Sequence, residues 1–149
     1  MKIEKATTND HSTLTNITLD GKAFWGYSKE QIELWKKDLT ISKDYIDENE
    51  VYKLIDDDEI IGYYSILKIS RTDSKLDNLF LYQKYIGKGF GKILMNDFIE
   101  RVKKSDCKVI ILDSEPNAEE FYKKFGFETY DRLESSIKDR FLPKMKLNL

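Results

Sequence analysis

Eight residues carry the densest chemical signal in this chain: Tyr85-Ile86-Gly87-Lys88-Gly89-Phe90-Gly91-Lys92. Three of the seven glycines stand here at alternating positions, after one apolar run and before an amphipathic one. Glycine has no Cβ and tolerates positive φ, so a backbone rich in it can approach an anion closely. A loop of this kind that opens a helix turns unpaired amides toward one point, where the helix dipole favours negative charge. Lys84, Lys88 and Lys92 add cationic side chains around the same place. The reading is a cradle for a pyrophosphate. Two better-known glycine motifs do not fit. A P-loop requires Gly-Lys-Ser/Thr, but Gly91-Lys92 is followed by Ile93. The dinucleotide fingerprint requires a third glycine where this chain has Lys92.

The elements that position this loop follow from patterning. Ile3 to Ala6 reads as a strand, and Asp10 opens a helix carrying Leu14 and Ile17 on one face. Gly21 to Tyr27 reads as a loop containing Phe24, Trp25 and Tyr27. Ser28 and Gln31 form a capping-box pair ahead of Ile32, Trp35 and Leu39 at helical spacing. A short helical turn follows over residues 42–47. Val51–Ile55 and Ile60–Ile69 form a hairpin across the acidic turn Asp56-Asp57-Asp58-Glu59. Leu76–Tyr82 is a strand running into the glycine loop, and Leu94, Phe98 and Val102 mark one buried helix face beyond it. Val109–Leu112 is wholly apolar, as a strand covered on both faces would be. Ala118, Phe121, Tyr122 and Phe125 return at helical spacing, with Asn117 and Glu120 placed to cap the start and Gly126 suited to the end. Phe127–Leu149 reads as two strands connected around Asp139. The expected order is β-α-α-β-β-β-α-β-α-β-β, an α/β fold with a mixed sheet.

Composition bounds what such a fold does. A chain of 149 residues is expected to form a single domain over 1–149 with one substantial core. A net charge of -2 argues against a nucleic-acid partner, which calls for a basic excess. The single Cys107 precludes an intrachain disulfide and suits a reducing compartment. With His11 the only histidine, no zinc site of the Cys/His type is expected, and no metal. Met1 to Lys5 carries no apolar signal segment, and no run approaches the length of a membrane span, so a cytoplasmic location is expected.

Two of these motifs together resemble the GNAT N-acetyltransferase family over nearly the whole length. Gly89-x-Gly91 matches the glycines of its Gln/Arg-x-x-Gly-x-Gly/Ala signature, although the first position falls on Ile86. Ala118, Phe121, Tyr122, Gly126 and Phe127 match its second signature, Asn-x-x-Ala-x-x-Phe/Leu-Tyr followed by Gly-Phe, while the Asn position falls on Glu115. Asn117, two residues on, is the residue able to supply that polar contact instead.

The resemblance implies a mostly antiparallel sheet flanked by helices, acetyl-CoA as co-substrate, and a primary amine as acceptor. It places the pantetheine arm between two strands, here Leu79, Phe80 and Leu81 on one side and Ile111 and Leu112 on the other. It places the pyrophosphate on the amides of Gly87, Lys88, Gly89, Phe90, Gly91 and Lys92. A backbone N–H near Phe80 or Leu81 would stabilise the oxyanion. The family's proton donor to the leaving thiolate falls on Tyr122, whose reference pKa of about 10 exceeds the thiol's, about 8.5. An ammonium acceptor must lose a proton, and Asp77 is the first candidate base, with Asp113 and Glu115 as alternatives. His11 reads as a surface residue. Trp25 and Tyr27 lie in the loop that the resemblance places beside the acceptor; packing of the helix pair is their other role, and the one assigned to Trp35. A small-molecule amine is favoured over a protein N-terminus or lysine. A homodimer through the C-terminal strands is a family-level expectation, and a CoA-binding regulatory module without catalysis is the alternative function.

Overall fold

The computed structural model describes all of residues 1–149. Seven strands form one sheet in the order β1-β2-β3-β4-β5-β7-β6. They are β1 (Lys2–Lys5), β2 (Glu50–Asp56), β3 (Glu59–Lys68), β4 (Asp73–Leu81), β5 (Val109–Asp113), β6 (Glu128–Glu134) and β7 (Phe141–Asn148). The helices are α1 (His11–Ala23), α2 (Lys29–Leu39), α3 (Lys43–Glu48), α4 (Phe90–Lys103) and α5 (Glu119–Lys123). The expected order holds, with the turn over residues 42–47 realised as α3. The contacts gather into two compact units, residues 1–66 with 78–98 and residues 67–77 with 99–149.

In the first unit, Ser28 and Ser42 cap α2 and α3 by accepting from the N–H groups of Gln31 and Tyr45, both at 3.0 Å. The caps satisfy amides that a helix start leaves orphaned. The β2–β3 hairpin closes through Asp57 and Asp58 at φ 53° and 63°, the left-handed pair that a two-residue hairpin turn requires. Leu14, Ile17, Ile41, Ile46, Val51 and Tyr63 form one buried cluster, and Phe80 packs on it with its ring stacked 6.3 Å from Tyr63. On the opposite face of β3, Tyr64 is fully buried, 5.5 Å edge-on from Phe98 of α4, and donates to Asp97 at 2.6 Å. Alternation along β3 therefore loads both faces, as in a strand covered on each side.

In the second unit, β5 buries Ile110 and Leu112 and runs antiparallel to β7 from Val109↔Asn148 to Asp113↔Lys144. The β4–β5 ladder is parallel and covers Asp73↔Val109 to Lys75↔Ile111. It stops there, although β4 continues to Leu81 and β5 to Asp113. The β6–β7 hairpin turns at Asp139, φ 62°, as expected. Gly126, φ 96°, ends α5 and donates to the Lys123 carbonyl at 3.0 Å.

Three expectations are corrected. Gly21 to Ala23 belong to α1, so the loop starts at Phe24; a helical glycine is tolerated there because a side chain would collide with β4. β4 begins at Asp73, three residues earlier than the apolar pattern shows, because its first residues are polar ones that the parallel ladder holds. Neither Asn117 nor Glu120 caps α5: a turn over Pro116–Ala118 precedes the helix, Ala118 stands at its N-cap, and the Asn117 amide donates to Glu115 instead.

Candidate active site

Gly87 and Gly89 take φ 81° and 90°, and a Cβ built on either would meet no protein atom within 4 Å. Their conformation requires glycine, and the space beside them is open. Gly91 lies in the first turn of α4, where the Gly89 carbonyl accepts from the N–H of Ile93 at 3.3 Å. Ahead of that bond, the N–H groups of Phe90, Gly91 and Lys92 at the start of this 14-residue helix have no intrahelical partner. Lys88 and Lys92 are exposed beside them. A close-approach backbone, orphan amides and two lysines fit a pyrophosphate.

Asp20 and Gln83, which the sequence does not single out, hold this loop. Asp20 of α1 accepts from the Gln83 N–H at 2.7 Å, and its carbonyl accepts from the Gln83 side chain at 2.9 Å. Tyr85 packs edge-on against Phe90 at 5.7 Å. Lys84 lies 5.2 Å over the Tyr85 ring. A cavity of about 390 Å³ opens among Asp20, Glu59, Tyr82, Gln83 and Lys84. Burial, with the charges of Asp20 and Glu59, raises the Tyr82 phenol above its ordinary pKa against the opposing effect of Lys84.

Leu79, Phe80 and Leu81 are half-buried at the end of β4, and Phe80 and Leu81 are seated between two glycines. A Cβ at Gly21 would lie 2.8 Å from the Leu81 carbonyl oxygen. One at Gly62 would lie 2.5 Å from Leu81 Cδ2 and 2.8 Å from the Phe80 carbonyl oxygen. Bare backbone on α1 and β3 thus fixes where the N–H groups of Phe80 and Leu81 stand. No sequence motif flags either glycine, since the reason for each lies in what faces it.

Tyr122 of α5 packs edge-on against Phe121 at 5.2 Å and Phe127 at 6.0 Å. Burial of its phenol, and then the charge of Glu115, push its pKa well above the ordinary tyrosine value. Desolvation disfavours the anion, so the hydroxyl keeps its proton. Among the candidate carboxylates, Asp113 pairs with Lys75 at 3.0 Å and stands 3.9 Å from Lys144. Glu115 accepts from Arg140 at 2.8 Å and from the Asn117 amide at 3.1 Å. Asp77 shares a face of β4 with Leu79 and Leu81, since strand side chains alternate. His11 begins α1, partly exposed.

The aromatic loop packs on itself. Trp25 is edge-on to Phe24 at 5.0 Å, and Tyr27 is edge-on to Trp35 at 4.9 Å. The Lys22 ammonium lies 5.5 Å from the Tyr27 ring and 5.2 Å from the Trp35 ring. Joining the end of α1 to α2 is the packing role expected of Trp35, and Tyr27 shares it.

With this geometry in hand, comparison with known proteins fixes the class. Residues 25–147 match the family model of the acetyltransferase (GNAT) domain. The chain belongs to the GNAT acetyltransferase family. It is 32% identical over 94 residues to the ribosomal protein bS18-alanine N-acetyltransferase of Haemophilus influenzae, covering 62% of this chain and 60% of that protein. It is 32% identical over 62 residues to glucosamine 6-phosphate N-acetyltransferase of Trypanosoma brucei brucei, covering 42% of each. The match thus spans less than two thirds of either relative. Among solved structures, the Paia N-acetyltransferase of Thermoplasma acidophilum, in complex with coenzyme A, superposes with a TM-score of 0.83 at 21% identity, over 99% of this chain and 98% of that one. That likeness establishes the fold. No helix is long and apolar enough to cross a membrane.

Proposed function

We propose that this chain, as one catalytic domain, transfers the acetyl group of acetyl-CoA to a primary amine. The observation that carries the reading is the cradle: Gly87 and Gly89 at positive φ, with open space where side chains would be, at the start of α4. The amides of Gly87 to Lys92 bind the pyrophosphate, and Leu79 to Leu81 and Asn117 contact the pantetheine arm. The amine attacks the thioester carbon directly. Asp77, on the face of β4 that also carries Leu79 and Leu81, takes the ammonium proton, directly or through a water. A backbone N–H at Phe80 or Leu81 stabilises the oxyanion. Tyr122 keeps its proton at neutral pH and donates to the departing sulfur.

Two relatives are named as N-acetyltransferases of a protein alanine and of glucosamine 6-phosphate, so the family accepts amines of quite different size. For this chain a small cationic amine is favoured, bordered by Trp25 and Tyr27. A net charge of -2 suits a cation, and the cavity of about 390 Å³ sets two carboxylates, Asp20 and Glu59, against one lysine, Lys84. The reading places the enzyme in the cytoplasm, with a homodimer through the C-terminal strands. The test is release of free thiol from acetyl-CoA across a panel of polyamines, amino sugars, aminoglycosides and peptides. Turnover with at least one amine is expected. Binding of acetyl-CoA without turnover on any amine would instead identify an acyl-CoA-binding regulatory module.

A further inference from the structure

Glu115 stands where the family signature carries asparagine, and its two carboxylate oxygens have different partners. Oε2 accepts from the Arg140 guanidinium at 2.8 Å, and Oε1 accepts from the Asn117 amide at 3.1 Å. Both members of the ion pair are largely covered, with side-chain exposures of 14% for Arg140 and 11% for Glu115. Arg140 is the last residue before β7, at the end of the β6–β7 connection. Glu115 starts the turn that leads into α5, its carbonyl accepting from the Ala118 N–H at 2.8 Å. The only helical turns between Glu115 and Tyr122 are that turn and five-residue α5, too short to hold themselves in place.

We propose that Arg140 is a positioning residue for the reaction: acting through Glu115, it fixes the segment that carries Asn117 and Tyr122. The inference rests on the roles proposed above for Asn117 and Tyr122. A covered carboxylate that loses its cation has either to stay charged in a poor medium or to swing out. Staying charged destabilises the turn it starts; swinging out releases Asn117 and the turn. Either way an asparagine at position 115 would not need the arginine. The arginine is therefore the chain's compensation for its departure from the family signature.

The test is a double-mutant cycle on the full chain, using Arg140→Met, Glu115→Asn and the pair together, with Arg140→Lys as the conservative variant. Kinetics use acetyl-CoA and the best amine of the panel. Arg140→Met should lower kcat by about tenfold, a coupling in the middle of the range for residues in contact, while the KM for acetyl-CoA changes less. Arg140→Lys should recover much of the loss, since it keeps the charge without the fork. Made on top of Glu115→Asn, Arg140→Met should cost less than about twofold. Amide hydrogen exchange over residues 115–122, read without any substrate, should speed up in Arg140→Met and not further in the pair. An unchanged kcat and unchanged exchange in Arg140→Met would overturn the proposal. So would an equal loss of kcat in the Glu115→Asn background, or a kcat that merely follows global thermal stability. Failure of the parent to acetylate any amine would instead sink the proposed function, while the exchange measurement would still decide whether Arg140 fixes the segment.

Discussion

Single residues do most where geometry leaves them one role. Tyr122→Phe keeps the ring packing against Phe121 and Phe127 and removes only the hydroxyl. Turnover should fall by roughly 10²- to 10⁴-fold, the range of a lost general acid, with thermal stability and acetyl-CoA affinity nearly unchanged. Because burial and Glu115 raise the phenol's pKa, the protonated form is fully present below the ordinary tyrosine value. The parent's pH–rate profile should therefore show no alkaline fall from Tyr122 up to about pH 10, and a full-rate phenylalanine variant would reduce the hydroxyl to a packing accessory. Asp77→Asn should depress kcat/KM most at low pH, where the amine is most heavily protonated and proton removal is most needed. A profile identical to the parent's would end the assignment of Asp77 as base. Tyr122 and the loop glycines were legible in the sequence because motif spacing marks them. Arg140 was not, since its meaning depends on a carboxylate 25 positions away in sequence.

At the scale of elements, the hydrophobic periods located the helices and strands, and boundaries failed where tertiary contact overrode local preference. Gly21 looked like a loop residue because glycine is a poor helix former, yet β4 needs a bare surface there. Gly62 sits inside a strand, where glycine also weakens local structure, and marks the same close approach from the other side. Together they set the seat of Phe80 and Leu81, and the seat makes a prediction. Gly62→Val would drive a β-branched side chain into the Phe80 carbonyl, 2.8 Å from the new Cβ, and into the Leu81 side chain. The overpacking should cost about 1–3 kcal/mol of stability. It should also reduce kcat beyond any loss of folded protein, because a shift of the β4 backbone moves the oxyanion donors. Chemical denaturation with kinetics at matched folded fraction separates the two effects. A variant that is less stable but fully active per folded molecule would show that β4 is not held by this contact for catalysis.

For the whole molecule, the cradle and the ligand it would hold are linked by mass action. A ligand that binds only the native state adds about 2.7 kcal/mol of stability at a concentration of 100 times its Kd. For a chain of this length that corresponds to a rise in Tm of roughly 5–10 °C. Acetyl-CoA at saturation should produce such a rise, and ATP at the same concentration should not, since Ile93 stands where a P-loop carries its Ser/Thr. The sequence announced the cradle but not its energetics, which depend on the observed φ of 90° at Gly89 and on the empty space beside it. A Cβ there has no protein atom within 4 Å, so the cost of valine to the ligand-free fold is chiefly the strain of a left-handed β-branched residue, about 1–3 kcal/mol. The same side chain fills the space a phosphate would need. Gly89→Val should therefore lower the ligand-free Tm by several degrees and abolish the rise with acetyl-CoA. The two readouts separate strain from recognition: a variant with a lowered Tm that still rises by the parent's increment would place the pyrophosphate away from Gly89.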